Sequence, residues 1–266
     1  MAPLSDGGVI RRIPEPSKRA MARCLAVLTA LLASAAPADT VKVPVEGGAA
    51  LHAALLVPSG AGRGAALVVA PGQSYDRNQP LTRGLAEAAH ATGFVTLRFD
   101  WRSHSAGSAP PESSLASELA DMHAAIAYLR QHARVDPARI YVAGKSLGSL
   151  VAHRAFVSDA RIRAAVLLTP IVRRRGDGER NYPRPTTQAR PWLVVLGEAD
   201  PLCPLPNLYD WLATSGATAP VAVFAGDHLL NVVPETAADP APNQRNVQQA
   251  IAATVHWLRE CERTAR

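Results

Sequence analysis

The segment that decides the fold is Ile140-Tyr141-Val142-Ala143-Gly144-Lys145-Ser146-Leu147-Gly148. Its first four residues form an apolar run, as in a buried strand, and a helical pattern follows from Leu147 to Val157. A serine between two glycines, where a strand passes directly into a helix, occupies a sharp turn that strains its backbone and exposes its hydroxyl. Ser146 is therefore the candidate nucleophile, and the alternative is a surface turn with an unreactive serine.

The elements around this segment alternate between strand and helix patterns from Asp39 onward. This alternation predicts an α/β fold, with a mostly parallel central sheet and helices on both faces, as one domain over residues 39–266. The predicted strands are 41–45, 51–57, 65–70, 94–99, 140–143, 162–169, 192–196 and 221–224. The predicted helices are 81–92, 115–131, 147–157 and 246–260.

Residues 1–38 form an N-terminal extension that includes a predicted signal peptide beginning near Met21. Arg23 supplies a basic start, residues 24–33 an apolar segment, and Ala36-Pro37-Ala38 a cleavage site. The apolar segment is too short to cross a bilayer, so no stable membrane anchor is expected. The pattern predicts a periplasmic or secreted protein, and the alternative is a disordered N-terminus.

The net charge of +6 comes partly from this extension, which carries five basic and two acidic side chains. No dense basic run with interleaved aromatic residues appears elsewhere, so a nucleic-acid partner is not expected. Outside the extension, the cysteines are Cys203 and Cys261. The predicted fold puts them at opposite ends of the sheet, too far apart for a disulfide. No Cys/His spacing suggests a metal site.

A serine hydroxyl needs a base and an orienting acid to become a nucleophile. Asp200 follows the predicted strand 192–196, at the carboxyl edge of the sheet where catalytic groups collect. Glu198, two residues earlier, is the rival acid. The sequence therefore predicts an acid in the loop that follows this strand.

His228 follows the last predicted strand and comes after the serine and the acid in the chain, as the base does in this kind of fold. His104 lies in a loop at the same edge, but it precedes Ser146, which makes it the weaker candidate. The other histidines fall within helix or strand patterns: His52, His90, His123, His132, His153 and His256. Asp227 is predicted to brace the loop that carries His228.

The developing negative charge on a substrate needs two backbone N–H donors. Leu147, directly after the nucleophile, supplies one. Gln73, in the loop that follows strand 65–70, is predicted to supply the other, since Pro71 and Gly72 shape that turn and a proline has no N–H to donate. These two residues form the predicted oxyanion hole.

Several motifs together resemble the α/β-hydrolase superfamily, over about residues 41–262. They are Ala70-Pro71-Gly72-Gln73, Phe99-Asp100-Trp101-Arg102-Ser103-His104, Asp136-Pro137-Ala138-Arg139-Ile140, Gly144–Gly148, Gly197–Pro201 and Gly226-Asp227-His228. The chain is most similar to small capless serine hydrolases of the dienelactone-hydrolase-like and prolyl-oligopeptidase-like kinds. The resemblance implies hydrolysis of esters, thioesters or amides without a cofactor, by a Ser146, His228 and Asp200 triad.

Three positions depart from the family pattern. Pro71-Gly72 replaces a common His-Gly, Ser149 replaces a glycine after the nucleophile turn, and Ser103 and Ser105 replace loop glycines. These changes leave the triad intact but obscure the subfamily. Dienelactone hydrolases proper use a cysteine nucleophile, so their substrate is not carried over.

The segment between Pro170 and Pro191 is short and polar, which excludes a large cap and predicts a site open to solvent. We expect a small-molecule ester of modest size as the substrate. The pocket is predicted to include Tyr75, Ile171, Leu202 and Leu229.

Two basic features near this pocket have both a functional and a structural interpretation. Arg173-Arg174-Arg175 could attract an anionic substrate, although solvated loop arginines are the simpler interpretation. Lys145, beside the nucleophile, is interpreted as structural, because neighbouring side chains in the turn diverge.

The same triad could also serve a peptidase, an amidase or an acyltransferase. A binding module that retained the fold without the activity is the remaining alternative.

Overall fold

The computed structural model describes residues 38–60, 62–105, 114–183, 190–215 and 219–264, with the side chains of residues 104 and 105 excepted. The predicted signal peptide lies outside the described residues, apart from Ala38.

The described residues form one sheet of eight strands in the order β1-β2-β4-β3-β5-β6-β7-β8. The strands are β1 Asp39–Pro44, β2 Ala50–Leu56, β3 Gly64–Ala70, β4 Val95–Phe99, β5 Val135–Lys145, β6 Ile162–Leu168, β7 Trp192–Gly197 and β8 Val221–Phe224. β2 pairs antiparallel with both β1 and β4, and every other pair is parallel. The predicted mostly parallel α/β fold is confirmed.

Helices connect most of the strands. They are α1 Pro80–Ala91, α2 Arg102–Ser105, α3 Ala116–Gln131, α4 Leu147–Ser158, α5 Asp177–Asn181, α6 Leu205–Ser215 and α7 Ala241–Thr264. α1 ends at Ala91, and Gly93, two residues further on, has a φ of 102° in the left-handed region where glycine is favoured. Leu258 at 0% exposure and Ile251 at 7% anchor α7 to the sheet.

Two apolar clusters hold the helices against opposite faces of the sheet. Alternate residues of β5 enter different clusters, because successive side chains of a strand point to opposite faces. Val142 packs in the cluster that contains residues of α3, α4 and α6. Tyr141 packs in the cluster that contains residues of α1 and α7. Burial of both faces explains why the central strands read as continuous apolar runs.

The cysteines lie on different sides of this sheet. Cys203 is buried in the α3, α4 and α6 cluster, whereas Cys261 packs against the α1 and α7 cluster, and both thiols are free.

The parallel arrangement brings the carboxyl ends of β3, β5, β6, β7 and β8 to one edge. Ser146 follows β5 in the middle of the sheet, Asp200 follows β7, and His228 follows β8. After β6, the described residues contain only the short helix α5 before residue 184, with no large cap. Among the parts of the chain that the structure describes, none of the helices combines the length and apolar character needed to cross a bilayer.

Sequence patterns located the elements well but not completely. Every predicted strand is present within two residues of its expected ends, except that β5 begins at Val135 rather than Ile140. The predicted helix 246–260 extends to both sides as α7, and α2, α5 and α6 were not predicted.

Candidate active site

Ser146 occupies the turn that the sequence predicts. Its φ of 53° and ψ of −116° are unusual for a residue with a side chain, a conformation that costs about 1–3 kcal/mol. The Ser146 N–H donates to the Leu168 carbonyl at 2.9 Å, which ties the turn to β6. The serine is partly exposed, although residues on both sides are buried.

Glycines allow this turn to be tight. A Cβ on Gly144 would lie 2.0 Å from the carbonyl oxygen of Gly148, so the end of β5 and the start of α4 are in direct backbone contact. A Cβ on Gly148 would lie 2.5 Å from the carbonyl oxygen of Pro71. Both glycines are therefore needed to bring Ser146 against the loop that follows β3.

Asp200 and His228 form a hydrogen-bonded pair at the same edge of the sheet. His228 Nδ1 lies 3.0 Å from Asp200 Oδ1 and 2.9 Å from Oδ2. The Asp200 side chain is 0% exposed. A buried carboxylate that accepts from Nδ1–H fixes the imidazole tautomer and leaves Nε2 as the acceptor.

His228 Nε2 is buried and has no hydrogen-bond partner among the described residues. The bond from Ser146 Oγ to this nitrogen is therefore not formed in the structure. Such catalytic hydrogen bonds are often long without substrate and tighten when substrate binds. The predicted acid and base are thus directly paired, and the predicted nucleophile shares their edge of the sheet.

The acid and base loops contact each other through the backbone. Ala199 N–H donates to Gly226 O at 2.9 Å, and Glu198 N–H donates to Phe224 O at 2.7 Å. A Cβ on Gly197 would lie 2.3 Å from the Gly226 oxygen, so only glycine permits this approach.

Asp227 braces the His228 loop, as the sequence predicts. Its Oδ1 accepts from the N–H groups of Leu229 at 2.8 Å and Asn231 at 2.9 Å. Asn246, on α7, supports the same loop by donating from Nδ2 to Ala225 O at 2.6 Å and Leu230 O at 2.7 Å. Sequence reasoning missed Asn246, because nothing in its local pattern distinguishes it from a surface residue of an amphipathic helix.

The rival acid Glu198 is exposed, and His228 bonds to Asp200. The rival base His104 lies in α2, and its side chain is outside the described part of the chain.

The predicted oxyanion donors belong to two segments that adjoin Ser146. Leu147 begins α4, and Gln73 follows Gly72, where an added Cβ would lie 3.6 Å from Ser146 Cβ. Neither N–H donates a hydrogen bond to any described residue, so both remain free for a ligand oxygen. Arg77 fixes this loop to the end of β4, because its N–H donates to Asp100 Oδ1 at 2.7 Å and its guanidinium pairs with Oδ2.

Comparison with known proteins bears on these features. Residues 63–259 match the family described as an alpha/beta hydrolase domain. This chain belongs to the alpha/beta hydrolase family. The resemblance stated from the motifs is therefore confirmed at the level of the superfamily.

Curated proteins also resemble part of this alpha/beta hydrolase domain. An uncharacterized protein of Mycobacterium tuberculosis is 32% identical over 159 residues, which are 54% of this chain and 55% of the relative. The chain thus spans about half the length of the curated relatives it matches.

Solved structures share its fold. A serine hydrolase without a lid from Xanthomonas campestris has a TM-score of 0.62 at 18% identity, covering 84% of this chain and 94% of the other. An esterase from Pyrobaculum calidifontis has a TM-score of 0.64 at 18% identity, covering 90% of each chain.

Ser149, which replaces the glycine that commonly follows the nucleophile turn, makes contacts that a glycine could not. Ser149 Oγ donates to the carbonyl of Ser146 at 2.6 Å and lies 2.8 Å from the hydroxyl of Tyr182. Tyr182, which is 1% exposed, also accepts from Ile171 N–H at 2.8 Å. A glycine at position 149 could not link the nucleophile turn to the segment after β6.

The four predicted pocket residues lie on the loops around this site. Tyr75 is 39% exposed, whereas Ile171, Leu202 and Leu229 are partly buried. Val172 N–H donates to Leu202 O at 2.8 Å, which joins the loops that carry Ile171 and Leu202.

Arg173, Arg174 and Arg175 are exposed on the alpha/beta hydrolase domain. Arg175 pairs with Asp210 at 2.9 Å, which offsets part of the basic charge. The attraction of an anionic substrate stays a prediction.

A cleft of about 630 Å³ lies at the opposite edge of the sheet, where β6 and β7 begin. Its arginines include Arg130 and Arg161, which pair with Asp159, and Arg190, which donates to three backbone carbonyls. This cleft is separate from the Ser146 edge.

Within the described ranges, no three His, Cys, Asp or Glu side chains cluster as metal ligands would.

Proposed function

We propose that this protein is a serine hydrolase that cleaves carboxylic esters through an acyl-enzyme. The observation that carries the proposal is the buried Asp200 carboxylate on His228 Nδ1, with Nε2 unpartnered, at the sheet edge where Ser146 adopts a strained turn. A surface histidine or an unreactive serine requires none of these features.

In the proposed first step, Ser146 Oγ attacks the ester carbonyl while its proton passes to His228 Nε2. The carbonyl oxygen becomes an alkoxide, which accepts from the N–H groups of Leu147 and Gln73. When the tetrahedral intermediate collapses, the bond to the alcohol oxygen breaks and the imidazolium returns its proton to the leaving alcohol. The acyl group remains on Ser146 as an ester.

In the second step, water takes the place of the alcohol. Nε2 removes a proton from the water as its oxygen attacks the acyl carbonyl, and collapse releases the carboxylic acid and restores the Ser146 hydroxyl. Asp200 stays ionised throughout and stabilises the imidazolium. This sequence uses only groups that the chain supplies, so it requires no cofactor.

Short acyl esters are the proposed substrate class. Between β6 and residue 184 the described residues form only the short helix α5, and Tyr75 at the site is 39% exposed, so the described part of the chain supplies no covering layer for a long acyl chain. An apolar chain gains affinity mainly by being buried. An open site therefore gives little preference for longer chains.

A fluorophosphonate probe tests the proposed nucleophile, because it phosphonylates serines activated by a neighbouring base. Wild-type protein should gain one label, located at Ser146 by peptide mass spectrometry. Ser146→Ala should gain none. Ser158→Ala, which changes a serine at the far end of α4, is the matched control and should label like the wild type.

A substrate panel then separates the alternatives. The proposal expects hydrolysis of p-nitrophenyl acetate and butyrate, with much slower cleavage of matched aminoacyl p-nitroanilides. Comparable rates on the anilides would favour a peptidase or amidase, and transfer of the acyl group to an added alcohol in preference to water would favour an acyltransferase. Absence of both labelling and turnover would favour a binding module.

A further inference from the structure

Lys145 is a buried basic side chain that the proposed mechanism does not use. It ends β5, directly before Ser146, and is 0% exposed. Its Nζ is buried and has no hydrogen-bond partner among the described residues. A buried ammonium without a partner is costly, so a protein that retains one needs a compensating interaction.

The contact that Lys145 makes is with the ring of Tyr75. Nζ lies 5.5 Å from the ring centroid, within the range of a cation–π interaction. Strand alternation puts Lys145 on the same face of β5 as Tyr141 and Ala143, where α1 and α7 pack. Lys145 thus lies on the face opposite to Gly144 and the cluster that contains α4.

Tyr75 connects this ammonium to the predicted oxyanion loop. A Cβ on Gly72 would lie 3.4 Å from Tyr75 Cδ2 and 3.6 Å from Ser146 Cβ. The ring of Tyr75 therefore lies beside the turn that carries Gln73. Ser74, between Gln73 and Tyr75 in the chain, has a φ of 62°. A loop with a residue in that conformation needs contacts that hold it in place.

We propose that Lys145 is a positioning residue, whose charge holds Tyr75 and thereby fixes the Gln73 N–H beside the Ser146 hydroxyl. The inference rests on the proposed function, since it assigns a role to the loop that binds the oxyanion. Lys145 does not touch the reacting atoms. It acts through the ring of Tyr75.

The charge on Lys145 depends on pH near neutrality. Burial lowers its pKa to about 8, against the opposing effect of the carboxylates of Asp200 and Asp227. Tyr75 is a further titratable group that faces Nζ. Loss of the proton removes the cation and leaves a neutral amine, so the contact with the ring weakens as the pH rises through this range.

Two substitutions test the contact from its two sides. Lys145→Met removes the charge at similar length, and Tyr75→Leu removes the ring. Each should lower kcat on p-nitrophenyl butyrate about tenfold, the scale of a partly desolvated cation–π contact, with a smaller change in KM. The double variant should be no slower than the worse single variant. Tyr75→Phe retains the ring face and should retain the decline in kcat at high pH.

The pH profile supplies a readout that simple loss of packing would not change. Wild-type kcat should fall above about pH 8, and Lys145→Met should lack this fall. Lys42→Met, the same change on the exposed face of β1, is the matched control and should leave kcat and its pH profile as in the wild type. Additive effects of Lys145→Met and Tyr75→Leu, or an unchanged profile in Lys145→Met, would overturn the inference.

A double-mutant cycle of unfolding free energies distinguishes this inference from the proposed function. The free energies of unfolding of the wild type, both single variants and the double variant report the Lys145–Tyr75 coupling without any catalysis. If wild-type Ser146 fails to react with fluorophosphonate, the proposed function fails, and the inference fails with it as a statement about catalysis. If Ser146 reacts but the cycle shows no coupling, only the inference fails.

Discussion

His228 Nδ1 lies within hydrogen-bond distance of both oxygens of Asp200, at 3.0 and 2.9 Å, although 28 residues separate the two in the chain. The pair forms because β7 and β8 are parallel neighbours, which places the loops that follow them side by side. Backbone hydrogen bonds between those loops then hold the carboxylate and the imidazole beside each other.

Asp200→Asn should lower kcat on p-nitrophenyl esters roughly 10³- to 10⁴-fold, because an amide favours the wrong imidazole tautomer and does not stabilise the imidazolium. Glu198→Gln is the matched control, since Glu198 is exposed two residues away. Steady-state kinetics with both variants decides between the two acids. A large loss in Glu198→Gln, with activity preserved in Asp200→Asn, would reverse the assignment.

Gly148→Ala should destabilise the protein by about 1–3 kcal/mol, the range for overpacking. The added Cβ would meet the carbonyl oxygens of Pro71 at 2.5 Å and Ala70 at 2.7 Å, and backbone atoms cannot move aside as a side chain can. Urea denaturation measures the change. Gly62→Ala, where a Cβ would have no neighbour within 4 Å, is the control, and equal stability losses at both sites would contradict the prediction.

Tyr182→Phe should cost about 1–3 kcal/mol in the free energy of unfolding, because it leaves the partly buried Ile171 N–H without its acceptor. It also removes the partner of Ser149, so the nucleophile turn loses part of its support. Tyr209→Phe provides the control, since the described residues include no hydrogen bond to the Tyr209 hydroxyl. A stability change no larger than the control's would show that the Tyr182 bonds contribute little.

The stability of the protein should depend on pH through His153. Burial lowers the pKa of this histidine to about 4, against about 6.5 in an unfolded chain. The unfolded chain therefore binds the proton more tightly, and stability is lost as the pH falls from about 6.5 to about 4, by about 3 kcal/mol from this group alone.

His153→Leu should reduce that acid-induced loss when unfolding free energies are compared at pH 6.5 and pH 4. The exposed His256→Leu should not. If both variants lose stability in parallel with the wild type, His153 is not the responsible group.

Much of this fold and part of its site follow from local sequence patterns. Apolar runs such as Ala65–Ala70 indicate buried strands directly, and the Gly-x-Ser-x-Gly turn places Ser146 between a strand and a helix. The positions of Asp200 and His228 then follow from the fold, because each comes directly after a strand. These inferences need only periodicity and chain order.

The supporting contacts could not be predicted in this way. Asn246 reaches the His228 loop from 18 residues further along the chain, and Tyr182 reaches Ser149 from 33 residues away. Neither residue has a local pattern that distinguishes it from its neighbours. The short helices α5 and α6 were missed for a related reason, since their packing around Trp211 and Gly178 depends on contact between the two helices.

The central chemical relationship in this protein is the dependence of Ser146 reactivity on His228. Fluorophosphonate labelling rates of the wild type and of His228→Gln, followed by intact-protein mass spectrometry, measure this dependence. Wild-type protein should label rapidly at Ser146, and His228→Gln should label at a rate at least about 10³-fold lower. Equal labelling rates in the two proteins, or labelling at a different serine, would rule out activation of Ser146 by His228.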